Sequence, residues 1–168
     1  MNIKGIHKTS LIDFPGRICS VFFTGGCNLR CGYCHNPELA CNSGCLESYS
    51  NDEALSFVKK RRGVIDGVTI SGGEPTISGN LESFIGAVKE MSMAVKIDTN
   101  GLNPAVVARL VDRGLVDYVA IDIKTSPRKY DFVVGRHVDF SRVIETVDIV
   151  KNSGLDYELR TTCIPQYV

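Results

Sequence analysis

The sequence predicts an α/β fold built on a parallel sheet with right-handed crossovers, open or barrel-like. Three observations carry that prediction. Short apolar runs of strand character alternate with segments of helical period along the chain. Gly, Pro and Asn punctuate the alternation at the points where one element must give way to the next. The residues able to do chemistry fall directly after the predicted strands, where parallel sheets gather their ligands.

Taken in order, the first predicted strand is Ile18–Phe23, which runs into the segment GGCNLRCGYCHNP at 25–37. A polar stretch, Ala40 to Ser50, follows. Ser50 and Glu53 have capping-box spacing and open a helix over Asp52–Arg62, with Leu55 and Val58 on one face. Gly67–Ile70 is a short strand ending at Ser71-Gly72-Gly73-Glu74-Pro75. Leu81, Phe84, Ile85 and Val88 then keep helical spacing. Met93–Asp98 is a strand ending in Thr99-Asn100-Gly101. Asn103 before Pro104 marks a helix start, with Val106, Val107, Leu110 and Val111 as its buried face and Gly114 as its stop. Tyr118–Ile123 is a strand ending at Lys124. A helix over Asp139–Asn152 stops at Gly154, and the last strand is Asp156–Cys163, before Pro165. The expected count is five strands.

The composition bounds the function. At 168 residues and 43% hydrophobic, the chain suits a single domain, 1–168, with a sizeable core. Nineteen Lys and Arg balance nineteen Asp and Glu, so no bulk field points to nucleic acid or a membrane surface. The opening Met1-Asn2-Ile3-Lys4 has no apolar signal core, and no apolar run reaches the ~18 residues of a membrane span. Seven cysteines, an odd count, read as thiols and metal ligands in a reducing cytoplasm rather than as disulfides.

Cys27, Cys31 and Cys34 form the informative pattern, C-x-x-x-C-x-x-C. Three thiolates in so short a loop can converge on one metal centre. A [4Fe–4S] cluster or a structural zinc normally takes four protein ligands, so three leave one coordination position for something else. The bland alternative is a structural zinc knot with His35 as fourth ligand, although adjacent Cys34 and His35 bind one tetrahedral ion together with difficulty. Gly72 and Gly73 serve either a tight turn or the approach of a ligand's polar end to the backbone. Glu74 serves either a helix dipole or that ligand. Asp98 and Asp122, at strand ends, are surface acids or holders of a cation or a ligand hydroxyl. Lys124 and Arg160 pair with those acids or grip a carboxylate. Cys41 and Cys45 read as free loop thiols, and Cys19 and Cys163 as core residues within strands.

Several of these segments together resemble a known family. The C-x-x-x-C-x-aromatic-C pattern with Tyr33, followed by Gly72-Gly73-Glu74, is similar to the radical S-adenosylmethionine (SAM) superfamily. Asp13-Phe14-Pro15-Gly16, FFTGGCNLRCGYCHNPEL, ISGGEP, IDTNG and IDIK resemble the activating enzymes of glycyl-radical proteins. The likeness is greatest to those serving anaerobic ribonucleoside-triphosphate reductase, with pyruvate formate-lyase activating enzymes as near cousins, and it spans Ile12 to Pro165.

The resemblance implies a partial (β/α) TIM-like barrel holding a [4Fe–4S] cluster on Cys27, Cys31 and Cys34. The open iron would be chelated by SAM, whose reductive cleavage gives a 5′-deoxyadenosyl radical that takes a hydrogen from a glycine of a partner enzyme. Flavodoxin or ferredoxin would supply the electron. By motif, the Tyr33 backbone would lie near the adenine, and Gly72, Gly73 and Glu74 near the methionine amino end. Asp98, Thr99 and Asp122 would hold a monovalent cation beside the SAM carboxylate, and Lys124 and Arg160 would contact SAM. Family members continue past the fifth strand with another helix and strand, so a truncated barrel with an exposed edge is expected. Another radical SAM activity and a zinc-binding interaction module stay open as alternatives.

Overall fold

The computed structural model describes residues 1–165 and 167. One sheet contains β1 (Ile3–Ser10), β2 (Cys19–Thr24), β3 (Gly67–Gly72), β4 (Ala94–Thr99), β5 (Tyr118–Asp122) and β6 (Asp156–Arg160), in that spatial order. The pairs from β2 to β6 are parallel, and β1 lies antiparallel on β2. The connections carry α1 (Pro37–Cys41), α2 (Asn51–Lys60), α3 (Leu81–Glu90), α4 (Pro104–Asp112), α5 (Tyr130–Val134) and α6 (Ser141–Asn152). With β1 and β6 at its edges the sheet is an unclosed partial barrel.

Local chemistry sets the elements. Ser50 caps α2 by accepting from the Glu53 amide, and the Glu53 carboxylate accepts from the Ser50 amide in return. Pro104 occupies the first turn of α4, where its missing N–H costs nothing. Gly114, at φ +60°, lets the chain leave that helix.

Side chains of a strand alternate between faces, and here both faces are used. Phe22, Val68, Ile70, Val95, Ile97, Val119 and Ile121 pack against Val58, Phe84, Ile85, Val88, Val107 and Leu110 of the helices. Full burial of each such side chain contributes roughly 1.5–3 kcal/mol. The opposite face carries Cys19, Val21 and Ala94 with Phe14, and, unusually for a core, the buried Thr69 and Lys96. Among the described residues no helix is long and apolar enough to cross a membrane.

Three expectations are corrected. Among the described residues there are six strands, not five: β1, IKGIHKTS, has no clean alternation, because it is an edge strand held by β2 and half exposed. The last strand ends at Arg160 rather than Cys163, and Cys163 is exposed outside it, not a core residue; Cys19 is buried as expected. The polar stretch after the cysteine loop holds α1, which, like α5, is too short to show a period.

Candidate functional site

The cysteine loop leaves the end of β2 and is tied down by every neighbour it meets. The Gly25 amide donates to Asn2 O at 2.8 Å, joining the loop to the start of β1. The Gly26 amide donates to Leu39 O in α1, and the Arg30 amide to Val134 O at the end of α5, both at 2.8 Å. Leu29 is buried with Leu102, Tyr130, Val134 and Val143, and Cys27 and Cys31 pack against that group. Gly135 is needed where it stands, since a Cβ there would lie 2.4 Å from Arg30 O.

Gly72-Gly73-Glu74 closes on the same loop. The Gly73 amide donates to Thr24 O and the Glu74 amide to Gly26 O, both at 2.8 Å. Gly72 sits at φ +112°, and a Cβ on it would fall 2.4 Å from Thr24 N. A Cβ on Gly73 would fall 1.9 Å from Gly26 O. These glycines are therefore required by the approach of two stretches of protein backbone, and their line of contact forms one wall of the cavity.

Glu74 is 1% exposed, and its two carboxylate oxygens accept from the Thr76 amide, the Thr76 hydroxyl, the Thr99 hydroxyl and the Asn100 amide. Burial pushes its carboxyl above the ordinary value, and those four donors pull against that rise. Three of these donors converge on Oε1 and the Asn100 amide takes Oε2, so Glu74 joins the ends of β3 and β4. Asn100 continues the link: its side-chain amide donates to Asn28 Oδ1 at 2.7 Å, back in the cysteine loop.

On the inner face, acids and bases alternate. Lys124 Nζ donates to Asp122 Oδ2 and Arg160 Nε to Asp122 Oδ1, each at 2.9 Å. Arg160 also stands 3.5 Å from Asp98 Oδ1, and Lys96 Nζ donates to that same oxygen at 2.8 Å. Lys96 reaches Glu158 at 3.2 Å. Burial works to raise the Asp122 carboxyl, but Lys124 and Arg160 hold it below its ordinary value. Burial likewise works against the Lys124 ammonium, and Asp122 holds it above the usual range.

These pieces surround one cavity of about 450 Å³. Cys27, Cys31, Tyr33, Cys34, Gly72, Gly73, Glu74, Asp98, Thr99, Asp122 and Lys124 all line it, so eleven of the twelve residues singled out in the sequence meet there. Arg160 stands one shell back, behind Asp98 and Asp122. Lys96, Glu158, Asn28 and Asn100 were not singled out. Lys96 had a signal: a lysine amid the apolar run Ala94-Val95-Lys96-Ile97 needs a buried partner.

The donor set fits an iron–sulfur cluster. Three free, half-buried thiols face one cavity, and the Leu29 amide points at Cys27 Sγ at 3.4 Å, the kind of donor that steadies a thiolate. Burial pushes the Cys27 thiol up to about 11, so metal binding there has to displace a proton. The Tyr33 hydroxyl is buried and has no hydrogen-bond partner among the described residues. His35, the fourth ligand a zinc knot would need, is exposed.

Comparison with known proteins places this architecture. The family model described as the radical SAM superfamily matches residues 21–167. A candidate glycyl-radical enzyme activating enzyme of Methanocaldococcus jannaschii is 35% identical over 172 residues, covering 98% of this chain and 69% of that protein. The pyruvate formate-lyase-activating enzyme of Clostridium pasteurianum is 31% identical over 157 residues, covering 88% of this chain and 64% of that one. The chain thus spans about two-thirds of the length of these curated relatives. Among solved structures, QueE from Escherichia coli shares the fold, with a TM-score of 0.57 at 13% identity over 96% of this chain and 84% of that chain.

Proposed function

From the premise that this chain belongs to the radical SAM superfamily, we propose that it is an activating enzyme which installs a radical on a glycine of a partner enzyme. The observation that carries the proposal is the convergence of Cys27, Cys31 and Cys34 with the ends of β3, β4 and β5 on one cavity. Two relatives named as activating enzymes, each at least 31% identical, support the choice of partner class. Anaerobic ribonucleoside-triphosphate reductase is the partner proposed, and flavodoxin or ferredoxin the reductant. What favours that partner is the likeness of the segment ending in CHNP, Cys34–Pro37, to that class of activating enzyme. The proposed setting is the cytoplasm, in keeping with seven free thiols.

When bound on the three cysteines, a [4Fe–4S] cluster supplies the electron for reductive cleavage of SAM. The chain's own residues do the positioning. Cys27, Cys31 and Cys34 would hold the cluster, with Cys27 and Cys31 packed against the buried Leu29 group and the loop tied to α5 through the Arg30 amide. Gly72 and Gly73 let the backbone wall come up to the methionine end of SAM, and Glu74 and Thr99 lock that wall to β4. Tyr33 borders the adenine side. Lys124 presents a cation to the SAM carboxylate, with Asp122 and Arg160 setting its place. Asp98 offers Oδ2, since among the described residues Lys96 and Arg160 both meet Oδ1. The cavity's open side is where a glycine-bearing loop would enter.

Anaerobic reconstitution tests this. A brown protein whose broad visible absorption bleaches with dithionite, and which turns SAM into 5′-deoxyadenosine, is expected, as is loss of both in Cys31→Ala. A SAM-dependent glycyl radical on a co-purified partner identifies that partner. A colourless protein with stoichiometric zinc would instead make this an interaction module.

A further inference from the structure

The resemblance puts a monovalent cation among Asp98, Thr99 and Asp122, and the geometry does not suit one. Asp122 already meets a protein cation on each carboxylate oxygen, Lys124 on Oδ2 and Arg160 on Oδ1. The Thr99 hydroxyl donates to Glu74 and accepts from the Gly101 amide. Asp98 keeps Oδ2 open, but its charge is already met at Oδ1 by Lys96 at 2.8 Å and Arg160 at 3.5 Å. Among the described residues, three acids (Asp98, Asp122, Glu158) stand against three bases (Lys96, Lys124, Arg160), and the cluster is neutral as it is.

Lys96 is the member with no other evident purpose. Its side chain is 2% exposed, two residues below Asp98 on the same face of β4. It holds Asp98 and Glu158 and lies 5.6 Å from the centre of the Tyr118 ring. Such a buried ammonium is costly to desolvate unless its place is set on all sides, as it is here. An ammonium and a potassium ion carry the same charge, but the ammonium is covalently tethered and cannot dissociate.

We propose that Lys96 takes the place of a monovalent cation in this chain, as a positioning residue that fixes Asp98 and makes SAM binding independent of potassium or sodium. The proposal rests on the reading of the cavity as a SAM site, but half of its test does not. In the apoprotein, wild type is expected to unfold at the same temperature in KCl and in choline chloride of equal ionic strength. Lys96→Met is expected to unfold at a lower temperature in choline chloride and to recover part of the difference in KCl, a recovery that lost packing alone would not give. In reconstituted protein, equilibrium dialysis of SAM should show equal wild-type affinity in the two salts. The variant should lose on the order of tenfold in choline chloride and regain most of it in KCl.

Dependence of wild type on potassium in either measurement overturns the proposal, as does a folded Lys96→Met that ignores potassium. Should Lys96→Met not fold, the wild-type comparison decides alone. A potassium-rescued apoprotein variant in a protein that binds no SAM would uphold Lys96 and sink the proposed function.

Discussion

Gly73 lies so close to Gly26 that an added Cβ would stand 1.9 Å from the Gly26 carbonyl oxygen. The contact joins the end of β3 to the first residues of the cysteine loop, with the Glu74 amide bonded to that same oxygen. Gly73→Ala must push the two segments apart. We expect a loss of about 3 kcal/mol in denaturant unfolding, together with a fall in iron retained after anaerobic gel filtration.

Glu74→Gln separates a structural acid from a ligand. The glutamine amide keeps one oxygen for the four donors that now share two, and its NH₂ faces donors such as the Thr99 hydroxyl or the Asn100 amide. A destabilisation of about 1–3 kcal/mol is expected in the apoprotein, before any cofactor is added. Unchanged apoprotein stability with a lost SAM affinity would show instead that the carboxylate serves the ligand.

Asp122 ties stability to acid. Its folded carboxyl sits below the ordinary value, so as pH falls the unfolded chain takes up the proton first. The stabilisation is therefore fully present above about pH 4 and is lost below it. Unfolding measured from neutral pH downward should show Asp122→Asn as the less stable protein at neutrality, with the gap to wild type closing in acid.

Ser50→Ala provides the contrast. It removes the cap of α2, no residue of which lines the cavity, and should cost about 1 kcal/mol of stability. Iron content and SAM binding should not change.

Much of the fold was legible because its signals are local. The capping box at Ser50 and Glu53, Pro104 opening α4, and the strands ending near Thr24, Gly72, Thr99 and Asp122 all follow from spacing within a few residues. The strand β1 was not legible, since its register is supplied by β2 and its own alternation is broken by Gly5 and exposed polar residues. Gly72 and Gly73 were recognised as important, but the partner that demands them, 47 residues or so away in the chain, appears only once β2 and β3 lie side by side. Cys163 misled because it reads as the last residue of a strand over Asp156–Cys163, whereas that strand stops at Arg160. Lys96 belongs with these long-range cases: its partner Glu158 comes from β6, two strands away.

The many ties on the cysteine loop, from Asn2, Leu39, Glu74, Asn100 and Val134, bear on how the protein matures. A peptide that folds only around its metal must spend most of its binding energy on ordering itself. Here the loop is already held in place, so little chain entropy remains to be lost when iron and sulfide arrive. Assembly of the metal centre is then a late, reversible step on a finished scaffold, and a molecule stripped of iron by oxygen would keep its shape and be open to repair.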